Sequence, residues 1–230
     1  MSCPIFEREW IFDQWADSVE AQVWLDDTEV VPIFGYTPGA DDTLGAIRRR
    51  MPGATVLNCS DFRAFRNSQR GEMERYTTLA LIRNRIMDAA VTLDIDFLLS
   101  WDSDMLFEPV LDKLFIDKPV TGALVDMTGE DWLMEEGHGF PSWMWLHEQK
   151  GARRELGWRP ADDPEPFQVG VVMGTVLMSR PVIERVRYAS HDLGEDIGFA
   201  CACEAHGFDR WLVPAARGVH IHDKPGEKER

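Results

Sequence analysis

Three short segments carry side chains whose types and spacing could do chemistry. Asp102-Ser103-Asp104 sets two carboxylates two residues apart, directly after the apolar run Phe97–Trp101. Hard oxygen ligands of this kind suit Mg²⁺ or Mn²⁺, which leave coordination positions open for substrate phosphate oxygens. The plainer reading of the same triplet is a polar strand end or an Asx turn. Gly194-Glu195-Asp196 opens a helical stretch. One of its carboxylates could take a proton from an attacking hydroxyl, or both could simply sit well at a helix N-terminus. Val219-His220-Ile221-His222 alternates as a strand, which puts both imidazoles on one face. Two histidines so placed are metal candidates, whereas a lone one is more often a satisfied surface residue.

The elements around these segments alternate. The spacing of Trp10, Ile11, Trp15, Val19 and Val23 predicts a helix over 9–22. Val30–Tyr36 reads as a buried strand, 41–51 as a helix stopped by Pro52 and Gly53, and 54–59 as another strand. The polar stretch 60–71 reads as a loop. Leu79, Ile82, Ile86, Ala90 and Leu93 mark one face of a helix over 72–93, with Arg83 and Asn84 partway along it. A strand at Phe97–Trp101 follows, then a short helix over 110–115 and a strand over 120–126. Residues 128–166 have weak periodicity and suggest a long insertion with one helix around 144–150. Val169–Met178 resembles one strand, followed by a helix from Pro181, a helix over 195–206 and a final strand over 211–222. Strands alternating with helices predict an α/β domain with a mostly parallel sheet. Ligands of open α/β sheets sit beyond the carboxyl ends of strands, which is where Asp102 and Asp104 fall.

Composition narrows the function classes. The chain has 230 residues, 44% hydrophobic and 28% charged, with a formal charge of −16. Such a field repels polyanions and disfavours broad binding to nucleic acid. It leaves room for a phosphate-bearing substrate that a divalent cation screens locally. The 9 tryptophans favour a rich core over exposed stacking faces. Cys3, Cys59, Cys201 and Cys203 lack zinc-ligand spacing and read as free thiols, the default of a reducing cytoplasm. No basic region followed by a long apolar run stands at the N-terminus, and no apolar stretch reaches about 18 residues. A soluble, cytoplasmic protein with no membrane span is the expectation; its oligomeric state is left open.

Taken together, the segments resemble the GT-A glycosyltransferases, especially small bacterial and bacteriophage members of the Anp1-like and family-2-like groups. The resemblance runs through Cys3–Trp10, Ala80–Arg85, Phe97–Pro109, Val120–Leu124, Gly174-Thr175 with Leu177 and Arg180, Gly194–Phe199 and Gly218–Ile221. It covers nearly the whole chain except 128–166. It implies one GT-A (Rossmann-like) domain: a mostly parallel central sheet flanked by helices, with a nucleotide-sugar-binding half (1–127), an acceptor half (128–222) and a loose tail (223–230). By position it implies that Asp104 ligates Mn²⁺ or Mg²⁺, that Asp102 touches the ribose or the metal through water, and that His220 is a further ligand, with His222 second choice. Asp196 would be the base and Glu195 would orient the acceptor. Arg83 would face the donor diphosphate, Pro4, Phe6 and Arg8 would line the nucleotide site, and Gly174 and Thr175 would lie near the sugar. The first strand is cut short by Met1, and the Gly-Gly often found before the family's acceptor strand is absent.

The reaction so implied transfers a sugar from a nucleoside diphosphate to an acceptor hydroxyl, with inversion favoured by the Glu-Asp pair. The acceptor would be a glycan, a small molecule or a hydroxylated base in bacteriophage DNA. The last needs a local basic patch such as Arg63, Arg66 and Arg70 to offset the acidic charge. Trp132, Trp143, Trp145 and Trp158 would form part of the acceptor wall. Two rivals remain: a nucleotidyltransferase, which usually carries a Gly-rich phosphate loop not seen here, and a sugar-nucleotide-binding module without catalysis.

Overall fold

Among the described residues nine strands form one sheet, and their order sets the turn carrying Asp102 and Asp104 beside the place where the strand order reverses. The computed structural model describes residues 1–62, 72–127, 145–147, 153–155 and 165–221. The first strands are β1 (Ser2–Ile5), β2 (Ile33–Tyr36), β3 (Thr55–Asn58), β4 (Phe97–Trp101), β5 (Met105–Phe107) and β6 (Val120–Met127). A separate two-stranded ladder pairs β7 (Trp145–His147) with β8 (Arg153–Glu155). The sheet is completed by β9 (Phe167–Val169), β10 (Thr175–Ser179) and β11 (Arg210–His220).

Across the sheet the order is β3-β2-β1-β4-β10-β6-β11-β5, with β9 also on β11. The parallel pairings β3-β2, β2-β1, β1-β4 and β6-β11 give six strands one direction. β5, β9 and β10 run against them. The sheet is therefore mostly parallel and mixed, as expected. β10 enters between β4 and β6, so the two halves of the chain share one sheet. The order reverses at β1, where the chain steps outward to β2 and β3 and returns on the other side at β4. Carboxyl ends at such a reversal open a crevice between loops that diverge, the place where α/β sheets bind ligands.

Helices cover both faces. α1 (Glu9–Glu20) and α2 (Thr43–Arg50) pack on one side, through Phe12, Trp15, Ala46 and Ile47 against Phe34, Leu99 and Trp101. Phe12, Trp15, Phe34 and Trp101 stack in tilted and edge-on pairs 5.5–5.8 Å apart. Each such pair adds about 0.5–1.5 kcal/mol beyond area burial. That cluster fixes α1, whose N-cap is Arg8, at the carboxyl end of β1. On the other face lie α3 (Glu72–Thr92), α4 (Arg180–Arg185) and α5 (Glu195–Ala205), with Ile82, Ile86, Met87, Val182, Ile183 and Phe199 in one core. Gly35 of β2 lets α3 approach closely, since a Cβ there would meet Ile82. β4 alternates between the two cores: Leu98 joins the α3 side, Leu99 and Trp101 the α1 side.

Several expectations are corrected. α1 ends at Glu20, so Val23 is exposed instead of continuing the buried face. Leu93 lies just past α3 and is likewise exposed. The helix expected around 144–150 is a strand where it is described, because 145–147 pair with 153–155; the rest of that segment lies outside the described residues. Val169–Met178 is two strands, not one. Gly174 takes φ +73, a left-handed conformation that breaks an extended run and that glycine adopts without strain. Residues 110–115 form a 3₁₀ turn, Leu111–Leu114, and β5 was not anticipated. The tail 223–230, with Arg63, Arg66, Arg70, Trp132, Trp143 and Trp158, lies outside the described residues. All four cysteines are free thiols; Cys201 is exposed and Cys203 buried, facing opposite ways as their spacing predicts. Among the described residues no helix is long and apolar enough to cross a membrane.

Candidate active site

The turn between β4 and β5 carries the Asp-Ser-Asp triplet, and backbone bonds hold it rigidly. Met105 N donates to Asp102 O (3.2 Å), which closes the turn, and Asp102 N donates to Gly174 O (3.0 Å), which ties it to the break before β10. The triplet is thus a tight turn, but its two carboxylates are not used up as local caps; they face different partners.

Asp104 faces Arg8 and His220. Arg8 Nη2 donates to its Oδ2 at 3.0 Å, and His220 Nε2 lies 3.5 Å from its Oδ1. The register explains the second contact: His220 of β11 sits opposite Met105 of β5, and Ile221 N donates to Asp104 O at 2.8 Å. Burial alone would push the Asp104 carboxyl up. The hydrogen bond from His220 and the positive charge of Arg8 outweigh it, and hold the carboxyl below the ordinary range.

Asp102 faces Arg83 instead. Arg83 Nη2 reaches both carboxylate oxygens at 2.9 and 3.1 Å, and Nη1 donates to Ser100 Oγ at 2.8 Å. Burial nevertheless leaves the Asp102 carboxyl raised, with Asp104 and Glu195 adding repulsion against the pull of Arg83. Arg83 is only 4% exposed. Burial opposes its charge, but Asp102, Tyr188, Asp196 and Glu195 hold it firmly protonated. The guanidinium that the resemblance sets against a diphosphate pairs here with Asp102 and lies near Glu195.

The N-terminus of α5 supplies the third group. Gly194 is its N-cap, with φ +124 and no side-chain capping bond. Glu195 turns inward to 3.5 Å from Arg83 Nε. Asp196 is half-buried in the same turn. Burial first, then the charge of Glu195, push its carboxyl up to about 8; Arg83 opposes this and Asp102 adds to it. A carboxyl poised there is close to the ideal for proton transfer near neutrality.

The remaining expected residues are placed as follows. Pro4 and Phe6 are half-buried at the carboxyl end of β1. Gly174 is buried beside Met105, and Thr175 is fully buried with its hydroxyl 3.6 Å from the Met105 sulfur. His222 lies outside the described residues. Among the described residues no three His, Cys, Asp or Glu side chains converge to hold an ion unaided. Asp104 and His220 do converge, and two protein donors completed by substrate phosphates and water are a familiar way to hold Mg²⁺ or Mn²⁺. By that test the residues fit a metal that arrives with its substrate. Ser100 and Tyr188 were not singled out from the sequence. Ser100 had one faint signal, a polar residue inside an apolar strand run; Tyr188 had none.

The fold has clear relatives among solved structures. The crystal structure of GalNAc-T7 with UDP, GalNAc and Mn²⁺ aligns with a TM-score of 0.64 at 15% identity, over 98% of this chain and 44% of that one. A crystal structure of a mycobacterial protein aligns at 0.54 and 16% identity, over 98% of this chain and 68% of that one. The chain spans less than half the length of the first. No protein-family model and no curated protein matches it. At these identities the likeness establishes the fold: a GT-A, Rossmann-like sheet flanked by helices.

Proposed function

We propose that this chain is a divalent-metal-assisted glycosyltransferase, moving a sugar from a nucleoside diphosphate to an acceptor hydroxyl with inversion at the anomeric carbon. The observation that carries the reading is the meeting of Asp104 and His220. They come from the turn after β4 and the end of β11 to within 3.5 Å, beside the reversal of strand order. A structure holding UDP, GalNAc and Mn²⁺ shares the fold and supports the same ligand chemistry here.

Each residue then has a task. Asp104 and His220 would hold Mn²⁺ or Mg²⁺, and Asp102 would touch the ribose or the ion through water. A bound ion would supply neutralisation of the charge on the diphosphate leaving group, worth several kcal/mol of transition-state stabilisation. Arg8, about a third exposed beside Asp104, reaches the diphosphate oxygens. Pro4 and Phe6 wall the nucleotide, and Gly174, backed by Thr175, leaves room for the sugar. The acceptor oxygen forms its bond to the anomeric carbon as the bond to the diphosphate breaks. Asp196, in its ionised form, takes the hydroxyl proton, and Glu195 orients the acceptor.

The test is nucleotide release from UDP-, GDP-, ADP- and dTDP-sugars with Mn²⁺, with Mg²⁺ and with EDTA. Release from one donor class, lost with EDTA and in Asp104→Ala, is the expected result. Metal-dependent binding without release in any acceptor screen would mean a binding module. No response to any donor would overturn the reading altogether.

A further inference from the structure

We infer that Arg83 is a positioning residue: its guanidinium brackets Asp102 on the donor side and Glu195 on the acceptor side, and so sets the spacing of the two halves of the site. This rests on the glycosyltransferase reading above.

The geometry leaves Arg83 little else to do. It sits on α3 among the buried Ala80, Ile82, Ile86 and Met87, and is itself 4% exposed. One nitrogen holds Ser100 of β4 at 2.8 Å, and a second holds both oxygens of Asp102 at 2.9 and 3.1 Å. Nε faces Glu195 Oε1 at 3.5 Å, and the Tyr188 ring lies 5.4 Å beneath the guanidinium carbon. The fork is thus turned toward β4, the turn after it and the first turn of α5, away from the surface.

The partners also need an external holder. Asp102 is on a turn whose backbone is fixed but whose side chain is a quarter exposed. The first turn of α5 has no side-chain cap, and its glycine N-cap gives the chain freedom at that point. Among the described residues, Arg83 touches both. Nε makes no hydrogen bond shorter than its ion-pair distance to Glu195. That contact is the one with room to tighten when substrate fills the site, as active-site hydrogen bonds often do. A lysine would supply the charge but not three directed edges in one plane.

The experiment uses the nucleotide sugar that the wild type turns over fastest in the panel above, with water as acceptor and Mn²⁺ present. Arg83→Lys is expected to lower kcat about 100-fold, the cost of a small misplacement in a preorganised site. The donor KM and the Kd of the matching nucleoside diphosphate with Mn²⁺ should stay within about threefold. Ser100→Ala, which removes one edge and little volume, should show the same signature at a few-fold. Arg83→Ala should regain activity with millimolar guanidinium but not with NaCl. If Arg83→Lys does not fold, Ser100→Ala and the guanidinium rescue decide. A tenfold rise in donor KM or Kd at unchanged kcat would make Arg83 a phosphate ligand and overturn the inference. Unchanged kinetics in both Arg83→Lys and Ser100→Ala would do the same. A wild type that turns over no donor would instead sink the glycosyltransferase reading.

Discussion

Asp104 and Asp196 are the same residue type in neighbouring parts of one site, yet their surroundings drive them in opposite directions. Asp104 faces Arg8 and His220, and its carboxyl is held low despite burial. Asp196 belongs to a group of three carboxylates, with Asp102 and Glu195, that share the single guanidinium of Arg83; its carboxyl rises to about 8. Burial is common to both, so it does not decide the outcome. The number of donors and cations available per carboxylate does. Opposite directions of this kind suit the two different roles proposed above for these carboxylates. One aspartate is held charged, as the proposed metal-ligand role would require. The other can exchange a proton near neutrality.

The sharpest way to break this comparison is Asp104→Ala. Losing a ligand whose ion supplies several kcal/mol should lower metal-dependent nucleotide release by about 10³-fold or more. Release that survives with its Mn²⁺ dependence intact would place the ion elsewhere. Asp196→Asn should cost roughly 10²-fold or more in transfer, the usual contribution of a general base, while nucleotide binding with metal stays near wild type. A loss of nucleotide binding in that variant would merge the two regions into one.

Gly198→Ala probes the proposed acceptor region through packing. A Cβ at Gly198 in α5 would run into the carbonyl oxygen of Ala189. Helix and segment must then part, at about 1–3 kcal/mol of overpacking. Thermal unfolding should move down, and transfer should fall more than nucleotide binding does. Equal losses in both would mean that α5 supports the donor region too.

The smallest effect is a pH trend. Burial and the charge of Glu195 push the Asp196 carboxyl up to about 8 in the folded protein, against an ordinary aspartate value of about 3.9. Between those limits the native state binds the extra proton, so stability is highest at the acid end and falls as pH rises through about 8. The charged form is the base, so kcat/KM should rise over the same interval. A thermal-unfolding series from pH 6 to 9, repeated in Asp196→Asn, checks it: the downward drift should shrink in the variant. A drift of equal size in both proteins would remove Asp196 as its source.

Much of the fold was legible because local patterns agreed with the final packing. Leu98 and Leu99 put apolar side chains on opposite faces of β4 because both faces are covered there, and α3 shows its buried stripe at Ile82, Ile86 and Ala90. Failures came where the signal was too short or was interrupted by a backbone conformation. A three-residue strand such as Trp145–His147 is too brief to show a period of two. The run Val169–Met178 looks continuous until Gly174 turns it. In the site, the carboxylates and His220 could be named from spacing, while Ser100, Tyr188 and the inward turn of Glu195 could not.

What the sequence by itself determined is the inventory: two aspartates after a buried strand, an acidic pair opening a helix, a histidine closing the last strand, and the α/β order that puts strand ends together. What the tertiary structure alone decided is which of them share partners. Arg83 and Glu195 are far apart in the chain, and only the return of α5 against α3 buries one guanidinium among three carboxylates. Only the β5–β11 register sets His220 against Asp104. Charge state follows from distance to neighbours, and long-range distances are set when the sheet assembles.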